Sequence, residues 1–419
     1  MMVIRRERRM LTHLPTWTNL PFIGNAHKFF WDRRNLFKYY KRVSETIEAT
    51  KVPFAARLGT KYFVVLSDPE EVRTVSTTNL NKAYIYNFTH KIIGHGLITA
   101  PGNLWKHNVK KLRSAFRPSN VDAFQAIFND QSRELIKSLE TEVDGGPFEL
   151  QHKHLTNVTL RAVSQSALGV SADGDINGLQ YYGKVSENDS TRSFIDILLE
   201  MRETDSTLTE EQIKSEVTTV LLAGQETTAV TVNFILLILG CRPDVQRKLY
   251  KEIRHVFGDI KRPVSKEDLG RLVYCEAVIH ETLRLYPPVP AVLRYVDHDV
   301  ELNSCTIPEG TTCIFNIWGS GRSKHIWGPD ALLYKPERWL DPSTASKHVN
   351  ALLNFSVGKR VCIGRRYAMN FIKTMLVHCL REYEFVSEAD KMTLQMDVLL
   401  RPTSGNLLRI RCRGYNLEA

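Results

Sequence analysis

One cysteine of this chain sits where a thiol can do chemistry. In FSVGKRVCIG (residues 355–364), Cys362 is set among Gly358, Lys359, Arg360 and Gly364, just ahead of a helical pattern. A helix start and nearby cations favour the thiolate, the form that ligates metals. A buried thiol in a turn is the other reading. A second candidate is VLLAGQETTAV, where Gly224, Gln225, Glu226, Thr227 and Thr228 interrupt an otherwise apolar helix. Thr227 can turn its hydroxyl onto the carbonyl of Ala223, four residues back. That would loosen the helix where Gly224 leaves room for a small ligand, with Glu226 beside it to carry protons. A polar kink without chemistry fits the same residues. In HETLRLYPPVP, Glu281 and Arg284 lie three apart, and alone they read as a surface ion pair of about 0.3–0.5 kcal/mol. Arg338 follows in the proline-rich YKPERWLDP.

These residues need elements to hold them. The polar break lies in a helix expected from about Thr209 to Gly240. Thr209 and Gln212 give a capping-box pattern, and Gly240 with Pro243 gives the stop. At 1.5 Å per residue it spans about 45 Å. Behind Cys362, Ala368, Met369, Ile372 and Leu376 fall on one helical face ready for burial. RLGTKYFVVLSDPEEV reads as a strand, a turn at Asp68 and Pro69, and a helix start. VELNSCTIPEGTTCIFN reads as a short hairpin-like insertion, and LPTWTNLPFIGN as a rigid extended entry. Helical patterns dominate from about Leu104 onward, so the expected fold is mainly α with a small β part.

Composition narrows the function classes. The chain has 419 residues, 43% of them hydrophobic, enough for a sizeable core. Its seven cysteines are scattered and never spaced CxxC, which argues against a disulfide framework or zinc ribbon and for a reducing compartment. The longest apolar run, AVTVNFILLILG, is too short for a membrane span and is broken by Asn233, so it reads as a core helix. The formal charge of +10 comes with no nucleic-acid motif. A basic face toward an acidic partner or anionic lipid suits it better.

Taken together, FSVGKRVCIG, HETLRLYPP, KPERW and AGQETT resemble the cytochrome P-450 family of haem-thiolate monooxygenases. The family's haem loop is Phe-x-x-Gly-x-Arg-x-Cys-x-Gly, and Phe355, Gly358, Arg360, Cys362 and Gly364 match each fixed position. The resemblance implies haem b with Cys362 as the iron ligand, and Arg360, Arg294 and Trp105 at the propionates. It implies Glu226 and Thr227 as the acid–alcohol pair that delivers protons, and Glu281, Arg284 and Arg338 as a buried structural triad. Substrate contacts would come from residues 221–228, 289–293 and 398–400. The implied reaction inserts one oxygen atom of dioxygen into an apolar organic substrate: a fatty acid, hormone-like lipid or xenobiotic. A flavoprotein NADPH–cytochrome reductase would supply electrons, with a cytochrome b-type donor as a further source. The implied location is the cytosolic face of the endoplasmic reticulum membrane. A haem-binding but catalytically weak form, and a haem-thiolate isomerase or dehydratase, are the alternatives.

The motifs look most like the insect and animal microsomal group that includes fatty-acid hydroxylases. Ala223 replaces a glutamate that can bond haem covalently in that group, so the haem here is expected to be held non-covalently apart from the thiolate. Three departures stand out. Residues 1–13 read as a basic juxtamembrane-like stub in place of an apolar anchor, followed by one domain over 14–419. Val109 stands where the family has arginine, with Lys110 or Arg113 as substitutes. A polar linker over 171–193 stands where the family carries its lid helices, which are therefore expected to be largely absent.

Overall fold

The computed structural model describes residues 2–28, 36–170, 192–205 and 208–413. The shortened-lid expectation falls on residues 171–193, of which 171–191 lie outside the described residues. The chain divides into two compact units, one formed by residues 1–88, 281–362 and 394–401, the other by 89–280, 363–393 and 402–419. It is mainly helical with small sheets.

The first unit is built on a four-stranded sheet. Its strands are β1 (Phe54–Leu58), β2 (Lys61–Leu66), β3 (Ala291–Tyr295) and β4 (Thr312–Asn316), in the order β1-β2-β4-β3. What the sequence offered as one strand is a hairpin, turned at Gly59 and Thr60, with Leu58 opposite Lys61. β2 and β4 run parallel, and β3 returns antiparallel with Arg294 opposite Cys313. The strand period of two gives the sheet two buried faces. Ala55, Val64, Leu66, Cys313 and Phe315 enter one core cluster, and Phe54, Ala56, Phe63 and Val65 enter another. Each such large side chain, fully buried, contributes about 1.5–3 kcal/mol. After β2, the Asp68 carboxylate caps a helix, Pro69–Thr78, by accepting from the Glu70 and Glu71 amides. The 300–316 insertion is a two-residue ladder, Val300–Glu301 with Thr306–Ile307, leading into β4. Residues 2–11 of the basic N-terminal stretch are helical.

The second unit is organised around one helix, Glu210–Cys241. Thr209 caps it by accepting from the Gln212 amide, so half of the expected capping box forms. The Gln212 side chain instead donates to the His95 carbonyl and to Glu216. Residues 228–239 are buried throughout, Asn233 included, which makes this apolar helix a core element. It is the one described helix long and apolar enough to cross a membrane, but most of its apolar stretch is covered. The helix runs unbroken through the polar stretch. The space left by Gly224 is taken by a neighbouring helix rather than a ligand: a Cβ there would lie 3.0 Å from Val163 Cγ2 in the helix Thr156–Leu168. Close approach of two helices is thus the reason for that glycine. The helix Arg365–Glu382 buries Met369, Ile372 and Leu376 as its periodicity predicts, leaves Ala368 half-buried, and also buries Phe371, Met375 and Cys379. Phe371 stacks on Phe128 at 5.0 Å between ring centroids.

Candidate haem site

Cys362 lies at the end of a loop held by its own backbone and by the first unit's helix Pro69–Thr78. The Cys362 amide donates to the Phe355 carbonyl (2.7 Å), closing the loop on itself. Asn354 donates to the Leu283 carbonyl (2.5 Å). Gly358 has φ +72°, and a Cβ there would stand 2.5 Å from Ser76 Oγ and 2.8 Å from Ser76 backbone carbon. Only glycine satisfies both the left-handed conformation and that contact. Gly364 then occupies the N-cap of Arg365–Glu382, two residues after the cysteine.

Exposure separates Cys362 from most other thiols. Cys275, Cys313 and Cys379 are fully buried, and burial pushes their thiols up, that of Cys379 to about 12. Cys305 is pushed up to about 11, again chiefly by burial. Such thiols stay protonated and inert. Cys362 and Cys412 are exposed, and Cys412 is engaged in a strand opposite Tyr383.

Three basic residues of the first unit gather in one place. Arg294 is 1% exposed and Arg360 is 8% exposed, with Lys82 half-buried beside them. Burial lowers Arg294 to about 10. Burial and then repulsion from Arg294 lower Arg360 to about 9. Burial, Arg294 and Arg360 together hold Lys82 well below the usual lysine range. The group opposing these shifts on the two arginines is the Tyr86 phenol, itself pushed up by burial and so neutral. Lys82 Nζ stands 4.6 Å over the Tyr86 ring. The Arg294 Nε is buried without a hydrogen-bond partner among the described residues. Basic side chains withdrawn from water beside one another favour an anion among them. A group with two carboxylates fits, and the haem propionates are such a group. Lys82 and Tyr86 were not picked out from sequence. Their only signal is a lysine and an aromatic four apart in NKAYIY, which is too common to notice.

Glu281 and Arg284 are not at the surface. Both are completely buried, and Arg284 Nε and Nη2 each donate to the Glu281 carboxylate at 2.8 Å. Arg338 Nε adds a bond of 3.0 Å, Trp339 Nε1 another of 3.0 Å, and the Lys335 amide one of 2.7 Å. Arg284 also donates to the Gly321, Ala331 and Leu333 carbonyls. In the same unit, the Leu400 amide donates to the Pro288 carbonyl (2.9 Å), bringing the 398–400 segment beside the 289–293 segment.

In the second unit, Thr227 Oγ1 donates to the Ala223 carbonyl at 2.6 Å, which fixes the hydroxyl and leaves its lone pairs to accept. Glu226 is half-buried next to it, and Gln225 donates to its carboxylate (3.3 Å). Trp105 is buried in the helix Gly102–Leu112, while Lys110 and Arg113 are exposed on its outer side.

Glu216 is a buried acid that sequence reasoning missed, although its spacing of three from buried Ile213 marks the inner face. Its carboxylate accepts from the Leu97 amide (2.8 Å), Asn108 Nδ2 (2.9 Å) and Gln212 Nε2 (2.9 Å), pinning residues 95–97 and the Trp105 helix to the long helix. Burial outweighs these donors and raises it to about 7. A carboxyl whose folded value lies above its unfolded value stabilises the fold fully below the unfolded value, near pH 4. That stability is lost as pH rises through about 7. Unfolding free energy should therefore fall by about 3 kcal/mol between pH 4 and pH 8 from this group. Denaturant titrations should show that slope flattened in Glu216→Gln; an unchanged slope would remove Glu216 as its source.

Comparison with known proteins agrees with this geometry. The family model described as Cytochrome P450 matches residues 14–183 and 176–409. Cytochrome P450 4c21 of Blattella germanica is 27% identical over an alignment of 479 residues, covering 97% of this chain and 95% of the relative. That alignment is longer than the chain, so the relative carries residues with no counterpart here. Cytochrome P450 4V2 of Homo sapiens is 26% identical, covering 98% of this chain and 91% of its own. The probable cytochrome P450 4aa1 of Drosophila melanogaster is 28% identical, covering 85% and 82%.

Proposed function

The chain belongs to the cytochrome P450 family, whose members are monooxygenases carrying haem iron on a cysteine thiolate, and from that premise we propose that Cys362 is the ligand and an apolar organic molecule the substrate. The observation that carries the reading is the clustering of buried Arg294 and Arg360 with half-buried Lys82, a setting that suits a dianion, in the unit that also holds the Cys362 loop. When bound, the haem supplies dioxygen activation, and the thiolate favours cleavage of the O–O bond. Arg294, Arg360 and Lys82 hold the propionates, Phe355, Gly358 and Gly364 shape the loop, and Trp105 adds a further propionate contact. Glu281, Arg284 and Arg338 keep the segment ahead of the loop rigid. The substrate is a fatty acid, hormone-like lipid or xenobiotic, met by residues 221–228, 289–293 and 398–400. Electrons come from a flavoprotein NADPH–cytochrome reductase at the endoplasmic reticulum membrane. A red-shifted absorbance band of the reduced, carbon-monoxide-bound protein, together with an oxygenated product, tests the reading. A band without product would leave haem binding and remove the oxygenase.

Glu226 and Thr227 are the proton-handling pair in this reading. The Thr227 hydroxyl is held by Ala223, and its free lone pairs would let Oγ1 accept a proton from the acid side and hand on its own, a form of general acid catalysis. Thr227→Ala should leave haem and substrate affinity within about twofold while product per electron consumed falls roughly tenfold or more, the lost electrons appearing as hydrogen peroxide. An unaltered product yield would make Thr227 no more than a helix back-bond.

A further inference from the structure

We infer that Gln151 is a positioning residue for the Glu226 carboxylate. Gln151 opens a single π-helical turn, Gln151–Leu155, ahead of the helix Thr156–Leu168. Such turns are rare and often sit at functional positions, because one extra residue per turn redirects a side chain. Here the redirected side chain is a buried amide, 2% exposed. Its Nε2 donates to Glu226 Oε1, and its Oε1 accepts from Asn233 Nδ2, each at 3.5 Å. Asn233 lies seven residues after Glu226, on the same face of the long helix, and is fully buried. The Glu226 carboxylate can only accept, so it takes the donor end of the Gln151 amide and leaves the carbonyl end to Asn233 Nδ2.

The π turn is itself braced. The Glu149 carboxylate accepts from the Gln151 and His152 amides at 3.1 and 2.9 Å. Thr156 Oγ1 donates to the Gln151 carbonyl at 3.0 Å. At its far end His154 bridges Ser138 Oγ (3.0 Å) and Glu142 Oε1 (3.1 Å) through its two ring nitrogens. The backbone that carries Gln151 is thus braced, while its amide stands 3.5 Å from the acceptor, a contact that steers the carboxylate without locking it. Catalytic hydrogen bonds are often this long before the substrate complex forms. Gln151 thus biases Glu226 toward one orientation from which it can still swing. The role in proton delivery rests on the reading of Glu226 given above; the contact itself does not.

Infrared difference spectra of the resting protein separate the two. Wild type minus Glu226→Gln identifies the Glu226 carboxylate band. In Gln151→Leu, of similar volume but with no donor, that band should shift. In Gln151→Glu, which sets two carboxyls together, a protonated carboxyl band should appear, since like charges at this range cannot both ionise. A Glu226 band in Gln151→Leu identical to wild type would overturn the inference. In turnover, Gln151→Leu should lower product per electron at least threefold with substrate affinity unchanged. The double variant Gln151→Leu/Glu226→Gln should be no worse than Glu226→Gln alone, whereas additive losses would count against a role through Glu226. If Glu226→Gln leaves coupling intact, the proton-carrying reading of Glu226 fails, while the band shift still decides whether Gln151 holds it.

Discussion

Cys362→Ala is expected to eliminate the thiolate-type spectrum of the reduced, carbon-monoxide-bound protein, whereas Cys241→Ala, Cys275→Ala and Cys379→Ala should keep it. The contrast follows from burial. Cys275 and Cys379 are sealed in the core with their thiols pushed up, and Cys241 is raised chiefly by burial as well, so none offers a thiolate at neutral pH. Cys362 is exposed at the end of a loop fixed by its bond to Phe355 and by the tight fit of Gly358 on Ser76. The loop is closed by the Cys362 amide bond to Phe355 and by the fit of Gly358 on Ser76, both of which alanine retains, so the variant should still fold before haem is added. A thiolate band retained in Cys362→Ala would assign the iron to another residue. Loss of the band in Cys379→Ala, with the protein still folded, would do the same.

Arg284→Ala should be the most destabilising single change in the first unit. Glu281 is completely buried and its charge is met by Arg284 and Arg338. Removing one partner of a buried ion network costs about 3–5 kcal/mol, since it leaves charge and donors unpaired. Against a total stability of about 5–15 kcal/mol, that is enough to leave little haem-loaded protein. The carbonyls of Gly321 and Ala331 would lose their Arg284 donor as well, and that of Leu333 would keep only its longer bond from Arg338. Arg284→Lys should rescue only in part, because an ammonium cannot reproduce the two-pronged contact with Glu281. The check is the denaturation midpoint together with haem content per chain. Wild-type values for both in Arg284→Ala would mean the surrounding loops hold the segment without the ion network.

Local sequence determined much of this molecule. The Asp68-Pro69 helix start, the Thr209 cap, the back-bond of Thr227 to Ala223 and the buried face behind Cys362 all involve residues within four or five positions of one another, where spacing dictates geometry. The haem loop belongs to the same class, since its glycines and arginine are fixed relative to Cys362 by a few covalent steps. Tertiary structure decided the rest. Glu281 and Arg284 look like any exposed helical pair until Arg338, Trp339 and Lys335 arrive from some fifty residues away to bury them. Gly224 suggested space for a ligand, and only the packing of another helix shows that Val163 fills it. Lys82, Glu216 and Gln151 gave at most a weak local signal, because what distinguishes each is removal from water beside a particular distant partner. Desolvation depends on the whole surrounding fold, and that is a quantity no short window of sequence contains.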